Sequence, residues 1–384
     1  MKKKILFVFG TRPEAIKMAP LVLLSKQYKK EFTPVVCVTA QHRQMLDEVL
    51  AVFNIEPDHD LNIMQDGQTL FHVTSSALLK MEKVLSDEKP DLVLVHGDTT
   101  TTFVASLAAF YQKIPVGHVE AGLRSYDMSQ PFPEEANRVL TDSICDLYFS
   151  PTSTSRKALL RENVPAKKIF VTGNTVIDAL HWVLQKKVGF ANPLLKKFFA
   201  AGKAAGPCIL VTAHRRENFG KPLEQAFRAL VRVAKKYPAA DVFYPVHLNP
   251  NVQAPAKRIL GSTPNIHLLA PLNYSDLALL MNKASLVVTD SGGLQEEAPS
   301  LGKPVLVLRE VTERPEAVKA GTVRIVGTDE KKVFSEICAL LENKKRFLSM
   351  ARSVNPYGDG KASRRTMEAM RYYFGMRAQR PTEY

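Results

Sequence analysis

Acidic side chains follow two apolar segments in the first half of the chain, a position from which they can transfer protons. Asp98 comes directly after Val93–Gly97, and Glu120 comes directly after Val116–Val119. Burial at the end of an apolar strand disfavours the charged form of a carboxyl group, which suits acid–base work near neutral pH. Glu134, which follows a proline, also fits an ordinary helix start, where an acid stabilises the helix dipole. These three residues are candidate acids and bases.

A histidine and an arginine stand at the same kind of position in the second half of the chain. His214 and Arg215 directly follow the apolar run Cys208–Thr212. Imidazole and guanidinium groups there suit a phosphate or a leaving group. A single histidine after a strand is often structural, and His96 and His118, at the ends of earlier strands, are interpreted as satisfied core residues.

Two turns that enter predicted helices suit an anionic ligand. In the first turn lies Arg12, with Lys17 one helical turn further on. In the second, Ser291-Gly292-Gly293 precedes a helix whose free N–H groups and dipole favour a diphosphate, although such a turn is also common in tight packing. Glu296 or Glu297, one turn later, suits ribose hydroxyls. Neither turn has the GxGxxG or Walker lysine pattern, so the sequence offers no dinucleotide fingerprint.

The elements that must position these residues alternate between short β-branched runs and helical segments, which is typical of a parallel sheet wrapped by helices. The predicted strands are Ile5–Phe9, Val35–Thr39, Leu92–Val95, Val116–Val119, Asp146–Ser150, Lys168–Thr172, Cys208–Thr212, Asp241–Pro245, Ile266–Leu268, Ser285–Thr289, Pro304–Leu308 and Val323–Val326. Ligands of such sheets bind beyond the carboxyl ends of the strands. The alternation of strands and helices begins again at Cys208. The sequence therefore predicts an α/β protein with two Rossmann-like domains facing across a cleft.

The domain boundary is predicted near Gly173, with an N-terminal domain at residues 1–172 and a C-terminal domain at residues 173–361. The stretch Lys186–Gly206 is polar and contains glycine, which indicates a loosely held segment near the junction. A final helix at Ala362–Phe374 is expected to return to the first domain, so that residues 362–384 join it.

Length and composition agree with a two-domain globular protein. The chain has 384 residues, 45% of them hydrophobic and 23% charged, which is too long for one comfortable core. The net charge of +14 raises the question of nucleic acid, but the basic residues are spread out and no aromatic-interleaved RNA motif occurs. A basic surface that attracts anionic substrates, without nucleic acid as a partner, is the favoured interpretation.

The cysteines and the apolar runs bear on compartment and cofactors. Cys37, Cys145, Cys208 and Cys338 form no CxxC pair and no zinc spacing, so they are expected to be reduced core thiols rather than metal ligands. The apolar run Ile5–Gly10 is too short for a signal peptide, and no run approaches the roughly 18 residues of a membrane span. We expect a cytoplasmic protein with no membrane partner.

Six motifs occur in one order along the chain. They are Phe9-Gly10-Thr11-Arg12-Pro13-Glu14-Ala15, Val95-His96-Gly97-Asp98-Thr99, His118-Val119-Glu120-Ala121-Gly122-Leu123-Arg124, Pro133-Glu134-Glu135-Ala136-Asn137-Arg138, His214-Arg215-Arg216-Glu217-Asn218 and Asp290-Ser291-Gly292-Gly293. Together they resemble the non-hydrolysing UDP-N-acetylglucosamine 2-epimerases of bacteria, and the resemblance extends to Asn355-Pro356-Tyr357-Gly358-Asp359-Gly360. It implies the two-Rossmann architecture called GT-B and a homodimer without metal or nicotinamide. It also implies reversible conversion of UDP-GlcNAc into UDP-ManNAc for cell-surface polysaccharide.

The resemblance also implies roles for single residues. The catalytic positions fall on Asp98, Glu120, Glu134 and His214. The UDP contacts fall on Arg12, Lys17, Ser291, Gly292, Gly293, Glu297 and Arg314. The contacts to a second, activating UDP-GlcNAc fall on Gln41, Gln44, Arg215 and His247. Leu272 and Leu277 depart from the Gln and Phe that relatives place beside the uracil, so the base pocket is expected to pack differently.

The chemistry follows from the substrate as well as from the resemblance. The proton on C2 of the sugar has no adjacent carbonyl, so its direct removal is slow. Expulsion of UDP from C1 makes that proton acidic and gives a 2-acetamidoglucal, to which UDP returns after reprotonation from the other face. Two faces require two acid–base groups, and a cluster of carboxylates supplies them.

Three other functions share part of this pattern. A GT-B glycosyltransferase shares the nucleotide half but needs an acceptor site. A hydrolysing 2-epimerase releases free N-acetylmannosamine. A sugar-nucleotide sensor keeps the UDP contacts but has no use for strand-end carboxylates.

Overall fold

The computed structural model describes residues 2–40, 43–65, 67–186, 188–200 and 206–384. It divides into two compact units. Unit 1 comprises Met1–Trp182 and Tyr357–Tyr384, and unit 2 comprises Val183–Pro356. The boundary falls within a helix, and Gly173 lies just before the first residue of that helix, Thr175.

Unit 1 contains, among its described residues, a sheet of seven strands in the order β3-β2-β1-β4-β5-β6-β7. All neighbouring strands in it are parallel. The strands are β1 (Lys3–Phe9), β2 (Phe32–Val38), β3 (His59–Asp60), β4 (Leu92–His96), β5 (Val116–Val119), β6 (Leu147–Ser150) and β7 (Ile169–Val171). The helices that connect and follow them are α1 (Arg12–Gln27), α2 (Arg43–Phe53), α3 (Leu70–Glu88), α4 (Thr100–Tyr111), α5 (Glu134–Ile144), α6 (Ser153–Arg161) and α7 (Thr175–Gln185).

Burial explains why the central strands of unit 1 are continuously apolar. Helices cover both faces of a parallel sheet, so every side chain of a central strand faces a core. Ile5–Phe9 of β1 and Leu92–Val95 of β4 are 0% exposed throughout. Polar side chains are therefore confined to the residues that follow each strand, and these meet at one edge of the sheet.

Unit 2 repeats the plan with six described strands in the order β10-β9-β8-β11-β12-β13, again all parallel. The strands are β8 (Cys208–Thr212), β9 (Asp241–Pro245), β10 (Ile266–Leu269), β11 (Leu286–Thr289), β12 (Val305–Val307) and β13 (Val323–Ile325). The helices are α8 (Pro193–Ala200), α9 (Lys221–Lys236), α10 (Pro250–Leu260), α11 (Tyr274–Lys283), α12 (Gly292–Ser300), α13 (Pro315–Ala320), α14 (Glu330–Glu342) and α15 (Lys344–Ala351).

The core of unit 2 shows how helical spacing selects the buried face. Leu223, Phe227, Leu230 and Val233 recur at intervals of three and four residues along α9, so they lie on one side of that helix. All four are buried in a cluster with residues of β8, β9 and β11. This face of α9 fixes the helix against the sheet.

The last helix, α16 (Ala362–Tyr373), belongs to unit 1 although it comes at the end of the chain. Its N-terminus is held by Asp178 of α7, which accepts hydrogen bonds from the backbone N–H groups of Ala362 at 3.1 Å and Ser363 at 2.8 Å. Farther along α16, Arg371 forms an ion pair with Glu31 at 2.7 Å. Both contacts join sequence-distant residues within unit 1.

The predicted α/β class with two parallel, helix-covered sheets is confirmed. The predicted strands β5, β8 and β9 have the predicted ends, and the others differ by a few residues at one or both ends. Sequence patterns gave no indication of β3, which is only two residues long.

The prediction of a loosely held segment at Lys186–Gly206 is wrong for part of its length. Helix α8 forms there because Asn192 caps it, accepting from the N–H groups of Leu194 and Leu195. Leu195 is 0% exposed, and Phe198 packs edge-on against Phe243 of β9 with ring centroids 5.0 Å apart. These contacts depend on residues far away in the sequence, which local polarity does not reveal.

The four cysteines are buried and unpaired, as predicted. In the part of the chain that the structure describes, no helix combines the length and apolar character needed to cross a membrane.

Candidate active site

Glu120 lies at the centre of the polar cluster of unit 1. It follows β5 and is only 9% exposed. Its Oε2 accepts hydrogen bonds from Lys17 Nζ of α1 at 2.5 Å and from Asn174 Nδ2 at 2.6 Å. The structure thus brings together the predicted residues Glu120 and Lys17. Asn174, which precedes α7, was not predicted because an asparagine after a strand has no distinctive sequence signal.

The backbone of Glu120 is strained. Its φ angle is +70°, which is rare for a residue with a side chain and costs of order 1–3 kcal/mol. The N–H groups of Glu120 and Ala121 both donate to Phe149 O, at 3.0 and 3.2 Å. These two bonds hold the turn in the strained conformation that brings the carboxylate to Lys17.

Asp98 follows β4 and is fixed by helix α5. Its Oδ2 accepts a hydrogen bond from Arg138 Nη2 at 2.5 Å, and its backbone carbonyl accepts from Asn137 Nδ2 at 2.9 Å. The preceding residue, Gly97, has φ +72°, and a Cβ placed there would lie 3.9 Å from Glu120 Oε1. The peptide that leads into Asp98 therefore passes close to the Glu120 carboxylate.

Glu134 and Glu135, adjacent in the sequence, have different surroundings. Glu134 is the first residue of α5, and its Oε2 is buried with no hydrogen-bond partner among the described residues. Glu135 Oε1 accepts from the N–H groups of Ser125 and Tyr126, both at 2.9 Å. Glu135 Oε2 also accepts from Arg138 at 2.9 Å. Glu135 therefore fixes the loop at Ser125 and Tyr126, whereas Glu134 has a buried oxygen that no described residue binds.

His96, the last residue of β4, is not the satisfied core residue that the sequence suggested. It is 3% exposed, and neither ring nitrogen has a hydrogen-bond partner among the described residues. Its Nε2 lies 3.8 Å from Glu120 Oε2. Burial lowers the pKa of His96 to about 3, against the attraction of Glu120, so its ring is neutral. The interpretation failed because strand-end position does not show whether a partner faces the ring.

Glu14 organises the turn that carries Arg12. Its Oε2 accepts from the N–H groups of Gly10 at 3.0 Å and Thr11 at 2.8 Å, and its Oε1 accepts from the hydroxyl of Thr99 at 2.7 Å. Burial raises the pKa of Glu14 although these hydrogen bonds oppose the shift. This carboxylate therefore joins the turn after β1 to the turn after β4. Sequence reasoning missed it because a glutamate in the first turn of a helix also fits a simple capping role.

Arg12 follows the first of these turns and is half-buried. Among the described residues its side chain forms neither an ion pair nor a hydrogen bond. A cation in that position is available to an anionic ligand.

In unit 2 a single buried carboxylate organises the turn after β8. Asp290, at the end of β11, is 0% exposed. Its Oδ2 accepts from the N–H groups of His214 and Arg215, both at 2.8 Å. Asn218 Nδ2 donates to the same oxygen at 3.3 Å and to Leu308 O at 2.9 Å. The two predicted residues, His214 and Arg215, are thus fixed by Asp290, a motif residue for which the sequence indicated no supporting role.

The side chains of His214 and His247 form a pair. Their rings are stacked at 5.4 Å between centroids with an interplanar angle of 24°. Burial lowers the pKa of His214, which Asp290 opposes and the nearby His247 and Arg215 reinforce. A neutral imidazole beside a fixed guanidinium suits hydrogen bonding to a phosphate or to a departing oxygen.

The start of α12 has the form expected of an anion site. Ser291 is the N-cap residue and its side chain makes no capping hydrogen bond. Gly292 and Gly293 open the helix, and a Cβ on Gly292 would lie 3.9 Å from Arg215 Nη2. The helix dipole, the N–H groups of its first turn and the Arg215 guanidinium therefore act on the same space.

Two carboxylates one turn into α12 are buried and hydrogen-bonded. Tyr274 donates its hydroxyl to Glu297 Oε1 at 3.1 Å. Glu296 forms an ion pair with Arg314, and its backbone carbonyl accepts from Asn355 Nδ2 at 2.8 Å. The predicted residues Glu297 and Arg314 therefore lie near the predicted anion site, in unit 2.

Two predicted residues, Gln41 and Gln44, are not fully described. Gln41 lies outside the described residues, and Gln44 is part of α2 but its side chain is not described. No group of three or more His, Cys, Asp or Glu side chains that could hold a metal occurs within the described ranges.

The fold and these clusters define an α/β enzyme of the two-Rossmann class, with a carboxylate centre in unit 1 and, in unit 2, a helix start whose form suits an anion. Comparison with known proteins narrows this class. The family model described as UDP-N-acetylglucosamine 2-epimerase matches residues 25–371. The UDP-N-acetylglucosamine 2-epimerase of Escherichia coli K12 is 56% identical over 372 residues, which cover 96% of this chain and 98% of that protein.

Solved structures agree with this match. The UDP-GlcNAc 2-epimerase of Neisseria meningitidis bound to UDP-GlcNAc is 49% identical, with a TM-score of 0.84 over 96% of this chain and 99% of that chain. An S. aureus protein solved with UDP is 46% identical, with a TM-score of 0.86 over 100% of both chains. The chain therefore belongs to the UDP-N-acetylglucosamine 2-epimerase family.

The buried neutral His96 gives a test of the site by pH. Its pKa is lowered from 6.5 to about 3, so below pH 6.5 the unfolded chain binds a proton that the folded chain does not. The free energy of unfolding of the native chain should therefore fall, relative to that of His96→Gln, by up to about 1.4 kcal/mol per pH unit between pH 6.5 and about 4. Urea unfolding at several pH values measures the difference. Parallel pH profiles for the two proteins would show that His96 has an ordinary pKa.

Proposed function

We propose that this enzyme interconverts UDP-GlcNAc and UDP-ManNAc without net hydrolysis, supplying ManNAc units for cell-surface polysaccharide. The observation that carries the proposal is the carboxylate centre of unit 1, where the glycine before Asp98 lies close to the Glu120 carboxylate and Glu134 retains a buried oxygen with no partner among the described residues. Membership of the family agrees with it. A protein that only binds a nucleotide has no need of the two strand-end carboxylates. An epimerase needs them, because they supply acid–base groups for both faces of a sugar carbon.

The reaction begins with loss of UDP from C1. The C1–O bond breaks with its electron pair on the diphosphate, and a carboxylate removes the C2 proton, which leaves a 2-acetamidoglucal. A second acid–base group then returns a proton to the opposite face of C2 as the diphosphate oxygen reattaches to C1. Atoms and charge balance without a metal or a nicotinamide cofactor.

The surroundings of the carboxylates suit these steps. Glu120 and Asp98 each form an ion pair, with Lys17 and Arg138 respectively, which fixes the position of the carboxylate. The unpaired oxygen of Glu134 is suited to exchange a proton with the substrate.

UDP is proposed to bind through cations and the start of α12. Arg12 and Lys17 in unit 1, and Ser291, Gly292, Gly293, Glu297 and Arg314 in unit 2, are the proposed contacts. The N–H groups and dipole of α12 attract the diphosphate. His214, held by Asp290, is proposed to stabilise the departing diphosphate oxygen.

The experiment that tests this function is incubation with UDP-GlcNAc in deuterated water, followed by NMR. We expect UDP-ManNAc to appear and deuterium to enter C2 of both sugars, because elimination breaks the C2–H bond. Hydrogen retained at C2 during epimerisation would exclude the elimination. Free N-acetylmannosamine as the product would identify a hydrolysing enzyme, and no reaction until an acceptor is added would identify a glycosyltransferase.

Substitutions separate catalysis from binding. Asp98→Asn and Glu134→Gln should each lower kcat by on the order of 10²-fold with UDP affinity little changed, since each removes an acid–base group. Arg12→Ala should instead weaken UDP binding. Asp87→Asn, which changes an exposed acid at the far end of α3, is the matched control. Normal turnover of Asp98→Asn would refute the catalytic assignment; titration calorimetry with UDP measures binding.

A homodimer is proposed from an exposed apolar surface on unit 1. Helix α4 packs between α3 and α5, and all three expose large apolar side chains. They are Phe71 at 87%, Leu79 at 69%, Phe110 at 54%, Tyr111 at 65% and Leu140 at 44% exposure. Several exposed large apolar side chains on adjacent helices are typical of an interface. A monomeric mass in light scattering would contradict the proposal.

We also propose a cytoplasmic location. Four unpaired, buried thiols suit a reducing compartment, where a nucleotide-sugar substrate is also at hand. Finding the protein in an oxidising compartment by fractionation would overturn this.

A second UDP-GlcNAc is proposed to activate the enzyme through Gln41, Gln44, Arg215 and His247. In unit 2, His247 stacks on His214 and Arg215 reaches the start of α12, so a ligand there contacts groups next to the proposed diphosphate site. Such a ligand shifts the enzyme only by its differential affinity for the active state, typically about 1–3 kcal/mol.

Activation predicts a lag. Purified UDP-ManNAc alone should react slowly at first, and a trace of UDP-GlcNAc should remove the delay. His247→Ala and Gln41→Ala should weaken this response. An immediate full rate with UDP-ManNAc, unchanged in both variants, would rule out the second site; progress curves followed by NMR make the measurement.

A further inference from the structure

His118 is buried between two groups that can only accept hydrogen bonds. It lies on β5 and is 1% exposed. Its Nδ1 is 2.6 Å from Asp142 Oδ1, and its Nε2 is 2.8 Å from the backbone carbonyl of Gly97. A carbonyl oxygen has no proton to donate, so Nε2 must carry one.

Asp142 is also an acceptor. Its Oδ2 receives hydrogen bonds from Arg124 Nη2 at 2.7 Å and from the N–H group of Gly122 at 3.2 Å. Burial would favour its neutral form, but the charges of His118 and Arg124 lower the pKa of Asp142 below its usual value. His118 therefore links Asp142 of α5 to the backbone carbonyl of Gly97 through its two ring nitrogens.

The contact to Gly97 connects the buried His118 side chain to the carboxylate centre. The N–H group of Gly97 donates to Val119 O at 3.0 Å, so both backbone polar groups of Gly97 are bound to β5 or its side chains. Gly97 has φ +72° and immediately precedes Asp98. The conformation of this one residue sets the direction in which the Asp98 carboxylate leaves the sheet.

Helix α5 supplies the other half of the arrangement. Asp142 stands near its C-terminal end, and Asn137 and Arg138, nearer its start, bind the backbone carbonyl and the carboxylate of Asp98. The helix therefore holds Asp98 directly at one end and, through Asp142 and His118, holds the preceding peptide at the other.

We propose that His118 is a positioning residue, held between Asp142 and the Gly97 carbonyl, that fixes the Gly97–Asp98 turn for catalysis. The catalytic part of this inference rests on the proposed function of Asp98. The hydrogen bond to Gly97 does not, and can be measured separately.

The first measurement is ¹⁵N–¹H NMR of the native chain labelled at histidine. Because the Gly97 carbonyl requires a donor and His118 is only 1% exposed, one histidine Nε2–H proton should exchange slowly with solvent, and its signal should be absent from His118→Asn. If no slowly exchanging Nε2–H signal is lost in that variant, the hydrogen bond to Gly97 is refuted.

The second measurement separates the two hydrogen bonds. The side-chain amide nitrogen of Gln at position 118 approximates Nε2, and that of Asn approximates Nδ1. His118→Gln can keep the bond to Gly97, whereas His118→Asn keeps only the bond to Asp142. We expect His118→Asn to lower kcat by about 10- to 100-fold with KM changed much less, as for misplacement of a catalytic group. His118→Gln should recover most of kcat.

Controls distinguish this from a general structural effect. His59→Asn removes another histidine–carboxylate pair of unit 1, to Glu88 at 2.8 Å, and should leave kcat unchanged. In an Asp98→Asn background, His118→Asn should cause no further loss of kcat, because its effect passes through Asp98. Additive losses, equal kcat in the two His118 variants, or a change confined to KM would each overturn the positioning role. If the native chain does not epimerise at all, the proposed function fails. The NMR result still decides whether His118 donates a hydrogen bond to Gly97.

Discussion

Buried carboxylates that accept hydrogen bonds from consecutive backbone N–H groups hold the turns of both sites. Glu14 does so for Gly10 and Thr11, Glu135 for Ser125 and Tyr126, and Asp290 for His214 and Arg215. The constraint behind this is physical: a turn that leaves a buried strand exposes N–H groups that neither the sheet nor the next helix can pair. An ionised carboxylate satisfies two of them at once and fixes the turn.

This requirement divides the acidic residues into two groups. The carboxylates that hold turns accept hydrogen bonds from backbone N–H groups. They are therefore poorly placed to exchange protons with a substrate. Glu120 and Asp98 instead bind side-chain cations, and Glu134 has an oxygen without a partner among the described residues. Glu134 and Glu135 are adjacent in the sequence and fall on opposite sides of this division because the helix start turns one towards the loop and the other away.

The backbone is left-handed at both Glu120 and Gly97, each of which follows a strand. That conformation is strained for Glu120, which carries a side chain, and is open to Gly97 because glycine has no Cβ. Both turns are bound to a neighbouring strand: the N–H group of Glu120 donates to Phe149 O of β6, and the carbonyl of Gly97 accepts from His118 Nε2 of β5. The peptide that leads into Asp98 thereby lies close to the Glu120 carboxylate.

The sequence by itself determined the α/β class, most strand positions and the strand-end location of Asp98, Glu120 and His214, because burial on both faces makes central strands apolar and moves polar residues to their ends. The tertiary structure decided which residues support them. Asn174, Asp142 and Asp290 meet their partners across 54, 24 and 76 positions of the chain, a separation that local patterns do not encode. It likewise decided that His118 is fully hydrogen-bonded and His96 is not, since two histidines at equivalent strand ends differ only in what folds against them.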